Sequence, residues 1–524
     1  MDTKALRQKI LDLAIRGKLV PQDPSDEPAS VLLEKIREEK ARMVKEGKLK
    51  KKDIKNDSII YVGEDNLHYE KFQDGTVKCI EDEIPFEVPE GWAWERLSNL
   101  AAFSGGKTPS TSHQEYWGGE VPWVTSKDMK SKYITSSQLR LSILGAEQMK
   151  IYQPDTLLLV TRSGILRHTL PVSILKEPAT INQDLKAIAL YMPKLAEYIY
   201  ICLKGMEAQL LLKYTKSGTT VENINFDEFQ KVLFPIAPLQ EITRIIAATC
   251  EAEQIVSSIE DDKTALAEYV VKAKTKILDL AIRGKLVPQE PEDEPASALL
   301  EQIRAEKESL IKQGKIKRDK KESVIFKGED NSYYEKIGSN VKKINDEIPF
   351  ELPDSWAWCR GYSCFEGMSS TKPQGEYFDY IDIDAIDNRL HKIKEAKHLP
   401  VSNAPSRASR SVKNGSVLFS LVRPYLENIA LVEEKHSSCV ASSGFYICNS
   451  NGTFLPEFMF YLMISRYVVD GLNQYMKGDN SPSISKDNIE GWLYPVPPFK
   501  EQKAIYAKLQ SIFALIESIE KSLS

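Results

Sequence analysis

The longest regular pattern of apolar positions begins at Leu239. From there, apolar or small residues recur at alternating steps of three and four, with one lysine among them, as in the a/d seam of a coiled coil. Pro238 stands where a helix can begin, and Gly284 where one can end. The pattern predicts a helix of about 44 residues, ~66 Å long. Its seam consists of Ile242, Ile245, Thr249, Ala252, Val256, Ile259, Lys263, Leu266, Val270, Ala273, Ile277 and Leu280.

The two chain ends carry the matching half of this seam. The apolar residues of the last 20 positions match seam residues that lie 260 positions earlier in the chain. Those of the first 13 positions match seam residues that lie 267 positions later. On this map Ser524 falls on Thr264 and Met1 falls on Glu268, so the two ends together predict a second long helix. We therefore expect an antiparallel coiled coil with a circular pseudo-two-fold repeat, and two independent bundles remain the alternative. The matching residues are Ile505, Leu509, Ile512, Ile516, Ile519, Leu523, Leu6, Ile10 and Leu13.

Other segments of the chain are also repeated. KILDLAIRGKLVPQ occurs at residues 9–22 and again at 276–289, and DEIPFEVPEGWAW at 82–94 returns as DEIPFELPDSWAW at 346–358. Chance similarity cannot produce such repeats in the same order, so each half is a constant frame around a variable block. The predicted regions are an N-terminal helix and frame (1–94), a first block (95–237), a central region with the long helix and repeated frame (238–358), a second block (359–497) and a C-terminal helix (498–524).

Both blocks alternate strand-like runs with turns and end in an apolar helical run. In the first block the runs are at 120–124, 156–160 and 185–191, followed by a helical stretch at 195–212. The second block keeps the order, with YFDYIDI, SVLFSLV, GFYICN and then FMFYLMISRYVVDGL. We expect two mixed α/β domains of one common fold. The charged runs at 32–52 and 299–321 predict solvated helices.

Composition narrows the class of protein. No stretch approaches the ~18 apolar residues of a membrane span, the first residues form no signal peptide, and seven scattered cysteines without a CxxC pair favour reduced thiols in the cytoplasm. Net charge is −5 overall. Residues 96–237 hold 16 Lys/Arg against 12 Asp/Glu, a net of +4, and residues 360–497 hold 14 against 15, a net of −1. The positive net charge of the first block therefore favours a DNA-facing surface there. In the second block only its equivalent position in the repeat favours such a surface.

Three catalytic patterns fail when the internal repeat is used as a control. GGKT at 105–108 lacks the earlier glycine of a phosphate-binding loop, where Ala101 stands. Pro497-Pro498-Phe499 follows Val496 rather than the polar residue of an amino-methyltransferase motif. Asp155, Asp184 and Lys186 imitate a Mg²⁺ nuclease site, but the second half has Gly415, Gly444 and Tyr446 at these places. Catalytic machinery shared by two halves should appear twice, so we expect no catalytic residue and no metal site.

Three stretches carry a resemblance to a known family: GGKTPSTSHQEYWGGEVPWVTSKDM, DEIPFEVPEGWAWERLSNL and PVPPFKEQKAIYAKL. With the two-block layout and the circular repeat, the chain resembles the specificity subunit of a Type I restriction-modification system over essentially its whole length. The resemblance implies two similar target-recognition domains joined by a long antiparallel coiled coil. Each domain would read one half of a bipartite, gapped target in double-stranded DNA. The second block departs from the pattern, since it lacks the GGKTPS and YWGG elements.

The resemblance also implies partners. The long helices would act as a spacer and dock two methyltransferase (modification) subunits, which bring S-adenosylmethionine, while restriction/translocase subunits would add ATP- and Mg²⁺-dependent cleavage. The chain itself would be a non-catalytic cytoplasmic protein that binds no cofactor and no membrane. A stand-alone nuclease or methyltransferase is the alternative, and a coiled-coil scaffold without a DNA role is a third.

Small polar and basic residues fill the turns of both blocks, and such side chains donate to phosphates and read base edges. We predict that DNA is contacted through phosphates or bases by Lys107, Thr108, Lys127, Arg162 and Lys216 in the first block and by Lys372, Arg423, Tyr425 and Lys477 in the second.

Overall fold

A computed structural model describes residues 2–216, 221–316 and 321–523. The chain divides into two compact units, Met1–Asp262 and Lys263–Ser524. Met1 and Ser524, on which the predicted meeting of the chain ends rests, lie outside the described residues. Among the helices of the described ranges, none has the length and apolar character needed to cross a membrane.

The frame of the first unit contacts the beginning of the long helix. Two helices and a three-stranded antiparallel sheet come first in this frame. A short strand follows, and it pairs with a strand located after the first block in the chain. In chain order the frame begins with α1 (Thr3–Ile15), α2 (Ala29–Lys45), β1 (Ser58–Val62), β2 (His68–Phe72), β3 (Val77–Cys79), β4 (Ala93–Arg96) and α3 (Leu97–Leu100).

The first block is built on a five-stranded sheet of order β5-β13-β9-β11-β7, with two smaller sheets beside it. The frame then resumes with the partner strand of β4 and the long helix. The elements are β5 (Ala101–Gly105), β6 (Trp117–Val124), β7 (Tyr133–Ile134), β8 (Leu139–Leu141), α4 (Ile143–Glu147), β9 (Leu157–Val160), β10 (Arg162–Ser163), β11 (Val172–Leu175), β12 (Thr180–Ile181), β13 (Leu185–Leu190), α5 (Ala196–Gly205), α6 (Glu207–Tyr214), β14 (Thr215–Lys216), β15 (Glu222–Ile224), α7 (Phe226–Phe229), β16 (Leu233–Ile236) and α8 (Leu239–Ile282).

The second unit repeats the order of frame, block and frame. Its block holds a four-stranded sheet, β24-β21-β28-β25, and a three-stranded sheet, β27-β26-β29. The elements are α9 (Ala296–Lys312), β17 (Val324–Lys327), β18 (Tyr333–Ile337), β19 (Asn340–Lys343), β20 (Ala357–Arg360), α10 (Gly361–Cys364), β21 (Tyr377–Ile381), β22 (Ile386–Asp387), β23 (Lys392–Ile393), β24 (Lys397–Pro400), β25 (Ala408–Ser411), β26 (Val417–Ser420), β27 (Ile429–Leu431), β28 (Val440–Ser442), β29 (Phe445–Cys448), α11 (Pro456–Met463), α12 (Arg466–Asn473), α13 (Lys486–Gly491), β30 (Leu493–Val496) and α14 (Phe499–Leu523).

The prediction of the long helix is confirmed, since α8 has 44 residues and begins directly after Pro238. Gly284 follows its end with φ +66°, and a Cβ there would lie 2.5 Å from Pro353 Cγ. The left-handed conformation and this close approach both require glycine, which is why the helix stops here. Gly17 ends α1 in the same way, with φ +64° and Pro89 Cγ 2.4 Å from the Cβ position.

In each unit a terminal helix lies antiparallel to its half of α8. Arg7 Nε lies 2.8 Å from Glu253 Oε1 and its Nη1 2.6 Å from Glu260 Oε1, whereas Gln22 reaches back to Glu241. In the second unit Lys274 Nζ lies 2.8 Å from Glu520 Oε1, whereas Gln289 reaches Glu501. Residues with higher numbers in one helix therefore contact residues with lower numbers in the other, which is the antiparallel arrangement that the seam predicts.

Seven seam residues are fully buried and most of the others are half-buried, whereas Leu266, Ala273 and Ile519 are exposed. Leu266 is 41% exposed, contrary to the seam prediction. The Lys274–Glu520 pair fixes the antiparallel register, and α14 ends at Leu523, so this helix stops short of Leu266. The buried seam residues are Ile242, Ile245, Val256, Val270, Ile505, Leu509 and Ile516.

Both frames contain the same buried polar contacts. Trp92 Nε1 and Gln22 Nε2 donate to the Glu241 carboxylate at 2.9 and 2.6 Å. In the second unit Trp356 Nε1 and Gln289 Nε2 donate to Glu501 at 2.8 and 2.6 Å. Burial raises the pKa of both glutamates, and the donors oppose that rise. The first turn of the long helix and of its C-terminal counterpart is thus fixed to the frame by one repeated arrangement.

Several predicted helices have different limits. The charged helices end at Lys45 and Lys312, before the predicted ends at 52 and 321, because Gly47 and Gly314 adopt φ of +72° and +71°. The second of these runs also includes residues 317–320, which are outside the described residues. The prediction that α2 is only a solvated helix is wrong, because one of its faces is buried through Leu32, Leu33, Ile36 and Lys40.

The helical run predicted at 195–212 is two helices, which meet at Met206. A Cβ on Gly205 would lie 3.0 Å from Ile15 Cγ2, so α1 packs closely where the run breaks. In the second block the run divides between α11 and α12, and the Ser465 hydroxyl accepts from Val468 N to cap the second helix. The predicted strands match β6, β9 and β13 in the first block and β21, β26 and β29 in the second.

Candidate nucleic-acid interface

One turn, residues 181–184, organises the loops of the first block. Lys107 N donates to Ile181 O at 3.1 Å, and Asn182 N donates to Val124 O at 3.0 Å. Thr161 N donates to Asp184 O at 2.9 Å. The loops that follow β5, β6 and β9 therefore converge on the same turn.

Three predicted residues lie on these loops and are exposed: Lys107, Thr108 and Lys127. The Thr108 hydroxyl donates to the side-chain oxygen of Gln183, which holds the loop against the turn. A Cβ on Gly106 would lie 2.1 Å from Ile181 O, so only glycine allows this approach. Lys127 follows Thr125, whose backbone N and hydroxyl each donate to Asp128 Oδ2 at 2.8 Å.

A small three-stranded sheet brings two more predicted residues together. Its order is β10-β15-β14, and both Arg162 and Lys216 pair with Asn223 of the central strand. Residues directly opposite on neighbouring strands share a face, so these three exposed side chains lie on one face. Strands are ~4.8 Å apart, which places the Arg162 and Lys216 backbones about 10 Å from each other. The buried Glu222 on the opposite face accepts from Arg167 Nε.

The second block repeats this arrangement with other residues. Ser483 forms isolated bridges with Val422 on one side and Lys477 on the other. Lys477 N donates to Ser483 O and Ser483 N donates to Lys477 O, each at 3.0 Å. Ser483 therefore takes the place that Asn223 has 260 residues earlier, with Lys477 in the role of Lys216.

Arg423 follows Val422 and turns toward the same loop. Its N donates to Pro482 O at 2.7 Å, and its Nη2 donates to Asn480 O at 3.0 Å. Its φ of +48° is left-handed, which leads directly into the turn that contains the exposed Tyr425. Arg423, Tyr425 and Lys477 thus border one surface.

Lys372 is placed apart from this group. Its loop adds to the edge of β25 through a hydrogen bond from Thr371 N to Ser409 O at 3.0 Å. Within the described part of the chain, no hydrogen bond joins this loop to the turn of Arg423. The side chain is exposed, and its role in DNA contact stays a prediction.

Sequence reasoning missed Gln183, Asn223 and Ser483. The last two stand at the same position of the echo between GTTVENIN and GDNSPSIS, but four of the eight positions are polar in both copies, so the sequence does not single this one out. Residues 217–220 of the same turn are outside the described residues.

The carboxylates that imitate a nuclease site do not meet. Asp155 N donates to Leu175 O just before β9 begins, and Asp184 O accepts from Thr161 N just after β9 ends. Six steps of extended chain separate the two positions, about 20 Å. Asp155 instead pairs with Lys176 Nζ at 3.1 Å. Among the residues that the structure describes, no three His, Cys, Asp or Glu side chains form a group that could hold a metal ion.

The sequence is similar to known DNA specificity subunits. Residues 89–261 match the family model described as the Type I restriction modification DNA specificity domain. The chain is 25% identical to the Type I restriction enzyme EcoAI specificity subunit of Escherichia coli, covering 97% of this chain and 88% of that protein. It is also 25% identical to the EcoEI specificity subunit of Escherichia coli, covering 99% and 90%.

A solved structure of an HsdS subunit from Thermoanaerobacter tengcongensis is 33% identical over 33% of this chain and 46% of that chain, with a TM-score of 0.32. The family match spans the whole first block and the first half of α8, and the two Escherichia coli relatives align with both units. Residues 89–261 of this chain therefore match a Type I restriction modification DNA specificity domain, and the chain is similar over nearly its whole length to two Type I restriction enzyme specificity subunits.

Proposed function

We propose that each unit reads one half of a bipartite, gapped DNA sequence through its block. The observation that carries this proposal is the repeated arrangement of a basic pair around one polar residue. Arg162 and Lys216 flank Asn223 in the first block, and Arg423 and Lys477 border the strand position of Ser483 in the second. A shared geometry with different polar residues is what two domains need when they bind the same duplex backbone and read different bases.

The chemistry of each residue assigns a role. Arg162 and Lys216 can both donate to phosphate oxygens, and an arginine can also donate twice to a guanine edge. The Asn223 amide can both donate and accept, which matches the N6 and N7 edge of adenine, whereas the Ser483 hydroxyl is less selective. We therefore propose that the first half-site is read with greater selectivity at the position that faces the centre of this small sheet.

The long helices serve as the spacer between the two half-sites and as docking surfaces for two methyltransferase subunits. The antiparallel ion pairs of Arg7 and Lys274 support this role, because they hold each terminal helix to α8 in a fixed register. The chain is proposed to be non-catalytic. S-adenosylmethionine would be bound by the methyltransferase subunits, and ATP and Mg²⁺ by restriction/translocase subunits.

An exchange of recognition blocks tests the proposal. β4 pairs with β16, and Arg96 binds Glu70 and Glu83 of the frame at 2.7 and 2.9 Å. Replacing residues 101–232 with the corresponding block of a relative leaves this two-stranded sheet of β4 and β16 intact. Methylated sites are then mapped in a host genome that also supplies the partner subunits. We expect one half-site to change while the other half-site and the gap remain. A change in both half-sites would contradict independent reading.

A further inference from the structure

The three-stranded sheets of the two frames present the same exposed face. In the first unit Tyr61 lies opposite Tyr69, and their rings stack with centroids 5.9 Å apart. In the second unit Phe326 lies opposite Tyr334, again with centroids 5.9 Å apart. The Tyr69 and Tyr334 hydroxyls each donate to an aspartate in the preceding turn, which holds both rings in place.

Neighbouring positions complete this face, because residues opposite each other share a side of the sheet. The first unit contributes an aliphatic residue, two aromatic residues, a lysine and a valine, and so does the second. A further position of this face differs, because Cys79 lies opposite Tyr69 in the first unit and Lys343 lies opposite Tyr334 in the second. Tyr61 is 42% exposed, as is Phe326, and both valines are also exposed. We call this set the aromatic face: Ile59, Tyr61, Tyr69, Lys71 and Val77 in the first unit, and Val324, Phe326, Tyr334, Lys336 and Val341 in the second.

Apolar residues next to the aromatic face differ between the two units, unlike the residues that the two faces share. Val62, exposed at the end of β1 in the first unit, corresponds to Lys327 in the second. Leu67 in the following turn corresponds to Ser332. The second unit has therefore lost these two apolar side chains beside the face, whereas on the face itself only Cys79 is replaced, by Lys343. Exposed apolar side chains on a short sheet favour unwanted association, so their retention indicates a contact.

We propose that the aromatic face of each unit is an anchor for one methyltransferase subunit, so that two copies of the same partner dock on the two faces. This inference rests on the proposed function. The partner would present an apolar patch beside a carboxylate, which complements Lys71 in one unit and Lys336 in the other. Three strands of about five residues span on the order of 200 Å², against ~800 Å² per partner in a standard interface. The face is thus one part of a larger contact and too small to hold two copies of this chain together.

A protein partner fits both faces better than DNA. Residues 58–80 carry Glu64, Asp65, Glu70 and Asp74 against Lys71 and Lys78, a net of −2. Residues 323–344 carry Lys327, Lys336, Lys342 and Lys343 against Glu329, Asp330 and Glu335, a net of +1. Phosphate binding would demand positive charge in both. Charge has changed sign between the units, whereas the apolar and aromatic positions have not.

The test counts partner copies on the full-length chain. Tyr61→Ser and Phe326→Ser are mixed, singly and together, with the purified methyltransferase subunit, and mass photometry records the complexes. We expect two copies on the wild-type chain, one on each single variant at concentrations that saturate the wild type, and none on the double variant, with a rise in Kd of tenfold or more at each altered face. Tyr61→Phe, which copies the residue of the second unit, should behave as the wild type does. Leu212→Ser removes an exposed leucine of α6 in the first block and should also leave two copies bound.

The charge-reversed variants Lys71→Glu and Lys336→Glu test the same faces without removing a ring, in case a serine variant unfolds. If the wild type binds two copies and all face variants do so with unchanged Kd, the inference fails while the proposed function stands. If the wild type binds no methyltransferase subunit, the proposed function fails. If the face variants lose affinity for a DNA duplex while partner binding is unchanged, the faces bind nucleic acid and the inference is overturned.

Discussion

Arg162 and Lys216 pair with the same residue, Asn223, from the two outer strands of one small sheet. Fifty-four positions of chain separate them, yet the sheet places their backbones about 10 Å apart on one face. The pairing also gives Arg162 a fixed strand position, whereas an arginine in a free loop would lose more conformational entropy on binding. This relationship leads directly to a prediction about how the first half-site is read.

Arg162→Ala and Lys216→Ala should each weaken DNA binding, but in different ways if one side chain reads a base. Loss of a bidentate contact to guanine costs about 1–3 kcal/mol and relaxes discrimination at one position. Loss of a phosphate contact weakens binding to all sequences and lowers the salt slope by about one. Binding isotherms at several salt concentrations, on cognate and single-base variant duplexes, distinguish the two.

Lys194→Ala is the matched control for these variants. Lys194 is exposed in the same block, but it follows the end of β13 that lies away from Asp184. Its removal should leave affinity unchanged. Equal losses for Lys194→Ala and Arg162→Ala would show that only the overall charge of the block matters, and the assignment of a surface would be wrong.

Some of this surface could be predicted from the sequence and some could not. Arg162 and Lys216 could be selected because they lie in turns rich in small polar and basic residues, and their approximate counterparts recur in the second half. Asn223 was missed, because the pairing of strands distant in the chain has no local signature. The same limit explains Gln183, whose position depends on the approach of Gly106 to Ile181.

The fold, too, has some features that the sequence predicts and others that it does not. The limits of α8 follow from a long apolar seam between Pro238 and Gly284, all of which is local information. The break between α5 and α6 was missed, because LAEYIYICLKGMEAQLLL is apolar throughout and its interruption coincides with a contact between Gly205 and Ile15 of α1. The break before α12 was visible in principle, since Ser465 is a typical N-cap residue.

Replacing Ser483 should affect the second half-site alone. Ser483→Asn copies the residue that the first block has at this position, between Val422 and Lys477. If the small sheet reads a base, the variant should shift preference toward adenine at one position of the second half-site, with the first half-site unchanged. Methylation mapping or selection from a random duplex library measures this. A shift in the first half-site would contradict the assignment of this block.

Glu95 should make stability depend on pH. It accepts from Asn99 Nδ2 at 2.7 Å, and burial raises its pKa from 4.5 to about 7. Between these values the folded protein holds a proton that the unfolded chain has released, so the free energy of unfolding falls as pH rises from about 4.5 to about 7. At ~1.4 kcal/mol per unit, the loss amounts to about 3 kcal/mol. Above pH 7 this group contributes no further change.

Glu95→Gln should remove that dependence, because an amide does not ionise. Urea unfolding followed by fluorescence at pH 5 and pH 8 measures it, and the variant should gain stability over the wild type only at pH 8. Glu90→Gln is the control, since Glu90 is exposed in the same frame. The second unit has Cys359 at the equivalent place, so Glu95→Cys should behave as Glu95→Gln does. A profile that Glu95→Gln leaves unaltered would mean that this carboxyl is ionised in the folded protein.

Lengthening α8 by one heptad should lengthen the gap in the DNA target. The insertion is best placed after Asp262, because the Arg7–Glu260 pair and the Lys274–Glu520 pair then remain on opposite sides of it. Seven residues keep the seam in register and add ~10 Å, close to three base pairs at ~3.4 Å each. With the partner subunits present, methylation mapping should return the same two half-sites with a longer spacer. An insertion of five residues is the control, because it turns the seam by about 140° and should abolish recognition of any gapped site. If the heptad variant methylates the original spacing, the helix does not measure the distance between the half-sites.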